Sequence, residues 1–334
     1  MHLRRWALPV LAAFALVSSV ALARPGASAP SAAAAHDAHA QPAPAAALAL
    51  PAAQDPAKPV KAVRFTGIPT ANTADLEAKY KPLAKYLTDK LGVPFEYVPS
   101  ADYNASVDGF VNGDLQLAWF GGLTGLRARQ RVEGAQVIVC GKIDREFKTY
   151  FVANKASGLA KSDEFPMALK GKKFTFGSDS STSGRLMPEF FIRKHTKLSP
   201  KEFFGVENNF SGGHDKTAKL VEAGTFDAGA MDFKQYEKMV AEFKKEPKSE
   251  KGIDPDKVQV IWVTPTYVDY HFTAHPKLDA AFGAGFTKKL QQALIELKDE
   301  ALLKALDRPE GLVEATNADF DVLKGVAKEI GLVR

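Results

Sequence analysis

The chain has 334 residues and one cysteine, and its 44 Lys and Arg against 39 Asp and Glu give a formal charge of +5. Acidic residues are interspersed among the basic ones after residue 60, which argues against a nucleic-acid binder with its stripe of Lys and Arg. We therefore expect no nucleic-acid partner, and the small positive excess is compatible with an anionic ligand.

The first residues have the pattern of an export signal. Arg4 and Arg5 precede an apolar run that ends in Ala21-Leu22-Ala23, the small-x-small pattern that signal peptidase accepts. We predict a cleaved signal peptide over residues 1–23. An uncleaved membrane anchor is the alternative, because the run is at the short limit of a bilayer span.

Residues 24–59 consist almost entirely of Ala and Pro. This composition has too little bulky apolar surface to offset the entropy of ordering, so we predict a disordered linker. His36 and His39 lie inside it, and two histidines without a rigid scaffold do not predict a metal site. Cys140 lies too far from the signal to carry a lipid and has no disulfide partner, so a soluble exported protein is expected.

Strands and helices alternate along the rest of the chain. Residues 62–68 have strand character, and Pro82 must start or kink the helix that follows. The apolar face of that helix, before the expected cap Gly92, is Leu76, Tyr80, Leu83, Leu87 and Leu91. Further strands are predicted over 93–98, 115–120, 172–177, 205–210, 226–231 and 258–263. Further helices are predicted over 103–111, 184–195, 213–223, 233–243 and 318–330, with a helical face over 282–297.

This alternation predicts an α/β fold with parallel sheets, whose ligands gather beyond the carboxyl ends of the strands. A repeated sequence pattern favours two similar lobes. When Tyr103 is aligned with His214, each is followed by a helix end, a glycine and a strand. Two chain crossings are expected near residues 141–151 and 264–272. The predicted domains are a first lobe over 60–143 plus 270–334 and a second lobe over 144–269.

The turn Ser181-Thr182-Ser183-Gly184 is the most informative stretch for chemistry. It lies between a predicted strand and a predicted helix. Such a turn aims free N–H groups and the positive end of a helix dipole at one point, and three hydroxyls add donors for a phosphate-like group. Helix capping by Ser183 is the alternative.

Five more candidates stand at the ends of predicted elements. Trp119, Phe120 and Gly121 end a strand, where aromatic walls and bare N–H groups suit a small site; core packing of the rings is the alternative. Tyr103 and His214 begin matching helices, from which a phenol or an imidazole could donate a hydrogen bond into a cleft.

Two carboxylates complete the set of candidate ligand-binding residues. Asp232 ends a strand, where it could accept a hydrogen bond from a ligand or cap the following helix. Asp269 lies within residues 264–271, a run that either packs at the hinge or lines the cleft.

Motifs of enzymes and cofactor sites are missing from the sequence. It has no HExxH, GxxxxGK[ST] or GxSxG, and no SxxK with its partner motifs. The stretch 283–285 lies inside a helical pattern and lacks the third glycine of a dinucleotide loop. No close cluster of His, Cys and carboxylates indicates a metal, so we expect neither an enzyme nor a cofactor.

In combination, these residues resemble the phosphate/phosphonate-binding family of ABC transporter periplasmic proteins, from about residue 61 to the end. The matching elements are the Tyr103 helix with Asn112-Gly113-Asp114, then 118–121, 181–184, 210–214 and 226–231. The resemblance implies a type II periplasmic binding protein, with two α/β lobes joined by a two-crossing hinge. It also implies ligand contacts from Tyr103, Ser181, Thr182, Ser183 and His214.

The implied function is that of a periplasmic, monomeric solute-binding component of an ABC importer, with a membrane permease as partner. The expected ligand is a small tetrahedral oxyanion, above all a phosphonate. Phosphate, phosphite and selenate are alternatives, because residues 265–271 resemble a branch assigned to selenate uptake. The sequence departs from the family at Gly122, where many members carry proline, so the shape of that loop is not implied by the resemblance. An amine-bearing phosphonate would suit Asp232 or Asp269, whereas an ionised carboxylate would repel a bare dianion. A binding protein that feeds a membrane receptor, or an enzyme on the same scaffold, is the alternative function.

Overall fold

The computed structural model describes residues 60–333, so the predicted signal peptide and linker lie outside the described residues. The strands are β1 (Val63–Gly67), β2 (Phe95–Tyr97), β3 (Leu117–Phe120), β4 (Gln136–Gly141), β5 (Thr149–Asn154), β6 (Phe174–Phe176), β7 (Asn209–Phe210), β8 (Ala228–Asp232), β9 (Val258–Val263), β10 (His271–Ala274) and β11 (Leu312–Glu314). The α-helices are α1 (Thr73–Leu91), α2 (Tyr103–Val111), α3 (Gly122–Arg131), α4 (Met187–Thr196), α5 (Pro200–Phe204), α6 (His214–Glu222), α7 (Phe233–Lys245), α8 (Lys277–Phe282), α9 (Phe286–Ile295), α10 (Glu300–Ala305) and α11 (Asp321–Glu329).

The strands form two sheets, in the orders β11-β4-β10-β3-β1-β2 and β7-β6-β8-β5-β9. Strand β1 is parallel to β2 and β3, and β6 is parallel to β7 and β8. Strands β5 and β10 are antiparallel to both of their neighbours. The sheets are therefore mixed, where the sequence predicted parallel ones. The α/β fold class is confirmed; β5 and β10, the strands that the chain enters after passing between the sheets, are antiparallel to their neighbours, and so is the edge strand β11.

Helix α1 shows how local sequence produces an element of this fold. Asn72 caps it, because its side chain accepts a hydrogen bond from the N–H of Asp75 at 3.0 Å, and Gly92 ends it at φ 69°. The predicted apolar face packs on the first sheet, where Tyr80 stacks on Tyr97 at 5.0 Å. Pro82 lies in the middle of the helix and does not start it.

Glycine explains why two of the predicted elements differ from the structure. The predicted strand over 205–210 shrinks to β7, because Gly205 at φ 74° terminates α5. The helical pattern over 282–297 divides into α8 and α9, because Gly283 and Gly285 adopt φ 95° and 83°. Within residues 60–333, no helix is both long and apolar enough to cross a bilayer.

Candidate anion-binding site

Three helices and one helical turn begin at the same place between the two sheets. Helices α2 and α3 come from the first sheet, and α6 comes from the second. The turn is a short π-helix, Thr182–Leu186, which leads directly into α4. Helix N-termini present unpaired N–H groups and a partial positive charge, so this arrangement suits an anion.

The serine turn follows β6, and all three of its hydroxyl-bearing side chains are buried. Ser181 Oγ accepts a hydrogen bond from the N–H of Gly184 at 2.9 Å, so Ser181 is the helix cap and not Ser183. The N–H of Leu186 reaches back to the carbonyl of Ser181 at 3.0 Å, a widened turn of the kind often found at functional sites. Because Ser181 Oγ acts as an acceptor within the turn, its O–H remains free to donate.

Thr182 connects this turn to the first sheet. Its Oγ1 accepts a hydrogen bond from the N–H of Leu123, in the first turn of α3, at 3.0 Å. A Cβ on Gly121 would lie 3.2 Å from Thr182 Oγ1 and 3.1 Å from Asp269 Oδ1, so a side chain there would crowd both groups. The close approach of the two segments therefore favours the glycine at position 121.

His214 begins α6 and is completely buried. Its Nδ1 accepts the N–H of Asp232 at 3.3 Å, and its Nε2 lies 3.4 Å from Ser183 Oγ. Burial lowers the pKa of His214, which keeps the ring neutral. Since Nδ1 is the acceptor, the hydrogen bonds assign the ring proton to Nε2, which donates toward Ser183, so this bond does not use the Ser183 O–H.

Tyr103 begins α2 and is held there by its neighbour Asp102, whose carboxylate accepts the N–H of Ala105 at 2.8 Å. The Tyr103 hydroxyl is buried and has no hydrogen-bond partner among the described residues. Burial, with the charges of Asp232 and Asp269, raises the pKa of Tyr103, so the phenol keeps its proton. A buried hydroxyl of this kind calls for an acceptor, because leaving it unpaired costs free energy.

The two candidate carboxylates have different surroundings. Asp232 Oδ1 accepts the N–H groups of Lys234 at 2.7 Å and Gln235 at 3.3 Å, so it caps α7. Asp269 Oδ1 accepts the N–H of Gly122 at 2.9 Å, while its Oδ2 is buried without a partner among the described residues. Burial raises the pKa of Asp269 to about 7, although hydrogen bonds from Gly122 and Thr182 oppose the shift.

The aromatic pair at the end of β3 divides between two environments, because successive side chains of a strand point to opposite faces. Trp119 stacks on Tyr270 with centroids 6.1 Å apart and planes 10° apart. Phe120 is fully buried and packs edge-to-face on Phe110 of α2 at 5.5 Å. The structure therefore gives Phe120 a packing contact, whereas Trp119 lies beside the crossing that carries Asp269 and Tyr270.

Several residues that hold the site were not among the sequence candidates. Thr149 Oγ1 donates to the carbonyl of Ser183 at 2.8 Å and lies 2.6 Å from Tyr267 Oη. Arg308 lies beside Trp119 and Tyr270. Among these supporting residues, Tyr267 and Tyr270 lie within the run 264–271 that the sequence analysis singled out; no motif pointed to Thr149 or Arg308. In residues 60–333, no group of three or more His, Cys, Asp or Glu side chains could hold a metal ion.

The chain is similar to known transport proteins over most of its length. A family model for ABC transporter, phosphonate, periplasmic substrate-binding protein matches residues 65–320. The protein named "Probable ABC transporter phosphite binding protein PhnD1" of Prochlorococcus marinus is 36% identical, over 82% of this chain and 91% of its own length. "Phosphate-import protein PhnD" of Mycolicibacterium smegmatis is 28% identical, over 80% and 86%. The structure of Prochlorococcus marinus PhnD1 in complex with methylphosphonate matches with a TM-score of 0.73 at 34% identity, over 82% of this chain and 99% of that one.

Proposed function

This chain belongs to the phosphonate-binding family of periplasmic substrate-binding proteins of ABC transporters, and we propose that it captures methylphosphonate or phosphite between its lobes for a membrane permease. The described relatives are binding proteins of transporters and not enzymes. In this proposal the protein is a monomer without a cofactor, and it acts in the periplasm after residues 1–23 have been removed. Its proposed ligand contacts are the sequence candidates Tyr103, Trp119, Gly121, Ser181, Thr182, Ser183, His214, Asp232 and Asp269, with Phe120 supporting them from the core.

The observation that carries this proposal is a convergence of hydroxyl donors from both sheets. Ser181 and Ser183 each act as hydrogen-bond acceptors within the protein, so these bonds do not use their O–H groups, which can donate to a ligand. The phenol of Tyr103 is buried without a partner among the described residues. The proposed anion accepts from these three hydroxyls and from helix N-termini, whose positive ends offset its charge.

The proposed acceptor in the site is Asp269. Its free Oδ2 is suited to a ligand O–H, because an ionised carboxylate accepts a hydrogen bond but repels an unprotonated dianion. Phosphorus oxyanions keep one proton at pH values near 6, as phosphate monoesters do, whereas sulfate and selenate do not. This chemistry favours a phosphonate or phosphite over the selenate alternative.

Titration calorimetry of the mature protein tests the proposed ligand. Methylphosphonate or phosphite is expected to bind most tightly among methylphosphonate, aminoethylphosphonate, phosphite, phosphate, sulfate and selenate. If none of the six anions binds, or if sulfate binds as tightly as methylphosphonate, the proposed function is wrong.

The pH dependence of sulfate binding tests the role of Asp269. Sulfate can bind only where Asp269 carries a proton, and its pKa is raised to about 7. In the wild-type protein, the sulfate affinity is therefore expected to fall about tenfold per pH unit above pH 7. The neutral Asp269→Asn variant should bind sulfate with nearly the same affinity at pH 6 and pH 9. Equal pH profiles for the two proteins would contradict this role.

Closure of the two lobes explains how the donors meet. Arg127 on α3 donates through Nη1 to Ser180 Oγ at 2.6 Å, and the Ser180 hydroxyl donates to Asn104 Oδ1 on α2 at 2.7 Å. Ser180 precedes the serine turn, so these bonds join the second sheet's turn to two helices of the first sheet. We propose that they form when the lobes close on the ligand.

Removing Arg127 tests this closure contact. Arg127→Met is expected to weaken methylphosphonate binding roughly tenfold, mainly through faster dissociation, because a charge-assisted hydrogen bond of the closed form is lost. The matched control is Arg131→Met on the same helix, whose exposed ion pair with Asp108 stays on one side of the cleft. Stopped-flow fluorescence should show a faster dissociation rate for the first variant only; equal rates would disprove the contact's role.

A further inference from the structure

Arg308 is a buried cation whose guanidinium makes a two-bond clamp. It follows α10, only 3% of its surface is exposed, and it lies 164 residues from its partner Asp144. Its Nε donates to Asp144 Oδ2 at 2.6 Å and its Nη2 to Asp144 Oδ1 at 2.7 Å. Two parallel N–H bonds to one carboxylate fix the planar group in both position and orientation.

Asp144 connects this clamp to both passages between the sheets. It lies in the 3-10 helix Lys142–Glu146, between β4 and β5, and its Oδ2 also accepts the N–H of Gly141 at 2.9 Å. Its carbonyl accepts the N–H of Asp269, between β9 and β10, at 2.9 Å. Asp144 therefore joins the two crossings through the main chain of Asp269, whose carboxylate we propose as ligand acceptor.

The guanidinium also lies against the aromatic wall of the site. Its central carbon is 5.3 Å from the ring centre of Trp119, 5.2 Å from that of Tyr270 and 5.9 Å from that of Phe147. Cations attract aromatic rings at such distances, and more strongly where water is excluded. The stacked pair of Trp119 and Tyr270 is thus held by a charge that is itself fixed by Asp144.

The turn that presents Arg308 is conformationally constrained. Asp307 has φ 57°, a left-handed backbone conformation that residues other than glycine rarely adopt. Its carboxylate pairs with Lys79 of α1 at 3.0 Å, and its carbonyl accepts from Arg308 Nη1 at 2.9 Å. Aspartate is one of the residues other than glycine that adopt this conformation most readily, and these two bonds hold the turn that presents Arg308.

We propose that Arg308, clamped by Asp144, is a positioning residue for ligand binding. It holds the aromatic wall of Trp119 and Tyr270 and the main chain at Asp269 in the geometry that receives the oxyanion, and it does not contact the ligand. This inference rests on the proposed function. Stability alone is a weak explanation for the pair, since burying two charges costs about as much as their attraction returns, and apolar replacements of such pairs are often neutral or stabilising.

The test separates positioning from stability by comparing a single with a double substitution. Arg308→Met leaves Asp144 buried without its cation, so a lower thermal midpoint and roughly tenfold weaker methylphosphonate binding are expected. Asp144→Asn combined with Arg308→Met removes both charges and keeps an acceptor for the N–H of Gly141. This double variant should recover most of the thermal midpoint but remain roughly tenfold weaker in binding.

Three further results decide the outcome. The control Lys90→Met, which removes an exposed ion pair with Glu296 and touches neither the turn at Asp307 nor the rings, should bind methylphosphonate within about twofold of wild type. If affinity recovers together with the thermal midpoint in the double variant, or if Arg308→Met binds like wild type, Arg308 has only a structural role. If the wild-type protein itself binds no tetrahedral anion, the proposed function fails, which is a different result from normal binding by every variant.

Discussion

A variant with Ser181, Thr182 and Ser183 all replaced by alanine is expected to bind methylphosphonate at least about a thousandfold more weakly than the wild-type protein. The hydrogen bonds that Ser181 and Ser183 donate to a charged ligand contribute roughly 1.5–3 kcal/mol each, so their loss alone weakens binding at least about a hundredfold. The substitution also removes the acceptors for the N–H groups of Gly184 and Leu123, which hold the two helix starts around the anion. Titration calorimetry measures the loss.

Ser199→Ala is the matched control for this triple variant. Ser199 caps α5 in the same way that Ser181 caps the serine turn, by accepting the N–H three residues later, here from Glu202 at 3.3 Å. The Ser199→Ala substitution should lower the free energy of unfolding by about 1 kcal/mol and leave the affinity for methylphosphonate unchanged. If both variants lose affinity equally, the effect comes from helix capping; if neither does, the anion binds elsewhere.

Gly125→Ala is expected to lower the free energy of unfolding by about 2 kcal/mol, although alanine is the better helix former. A Cβ at position 125 of α3 would lie 2.2 Å from Nε2 and 2.5 Å from Cε1 of His271. That ring is fully buried, packs against Phe320 with centroids 4.1 Å apart and planes tilted by 37°, and is hydrogen-bonded to Arg129 and to the carbonyl of Asp269. Because the ring cannot yield, overpacking of roughly 3 kcal/mol outweighs a gain of about 1 kcal/mol in helix propensity.

Gly325→Ala provides the opposite expectation within another helix. A Cβ there meets no atom within 4 Å, and the backbone needs no positive φ. This variant of α11 should therefore be more stable than wild type by up to about 1 kcal/mol. Urea unfolding followed by circular dichroism compares the two substitutions. A Gly125→Ala protein as stable as Gly325→Ala would show that α3 is not packed tightly on His271.

The elements that the sequence predicted well are those fixed by short-range contacts. The face of α1 and its cap Gly92 follow from residues three and four positions apart, and the structure places them as expected. The start of α2 at Tyr103 and of α6 at His214 also agree with the predicted bounds. The family could be named from motifs at these positions, because each motif is a local turn at the end of a strand.

The sequence did not decide which local role two polar side chains take, nor the direction of two strands. Asp232 was equally suited to a ligand or to a helix cap, and the structure shows the cap contacts with α7. The alternative that Ser183 caps its helix was wrong, because the widened turn moves that role to Ser181. The antiparallel strands β5 and β10 were missed, since strand direction is set by how the chain passes between sheets and not by side-chain pattern.

The sequence by itself determined the α/β fold class, the serine turn and the family, because periodicity, glycine and capping residues act over a few positions. Only the tertiary structure placed Asp269 against Gly122, 147 residues away, and Thr182 against Leu123, 59 residues away. It alone revealed the clamp between Asp144 and Arg308. Such contacts arise where the chain passes from the first sheet to the second and back again, and no local pattern in the sequence shows which distant partner a buried polar group will meet.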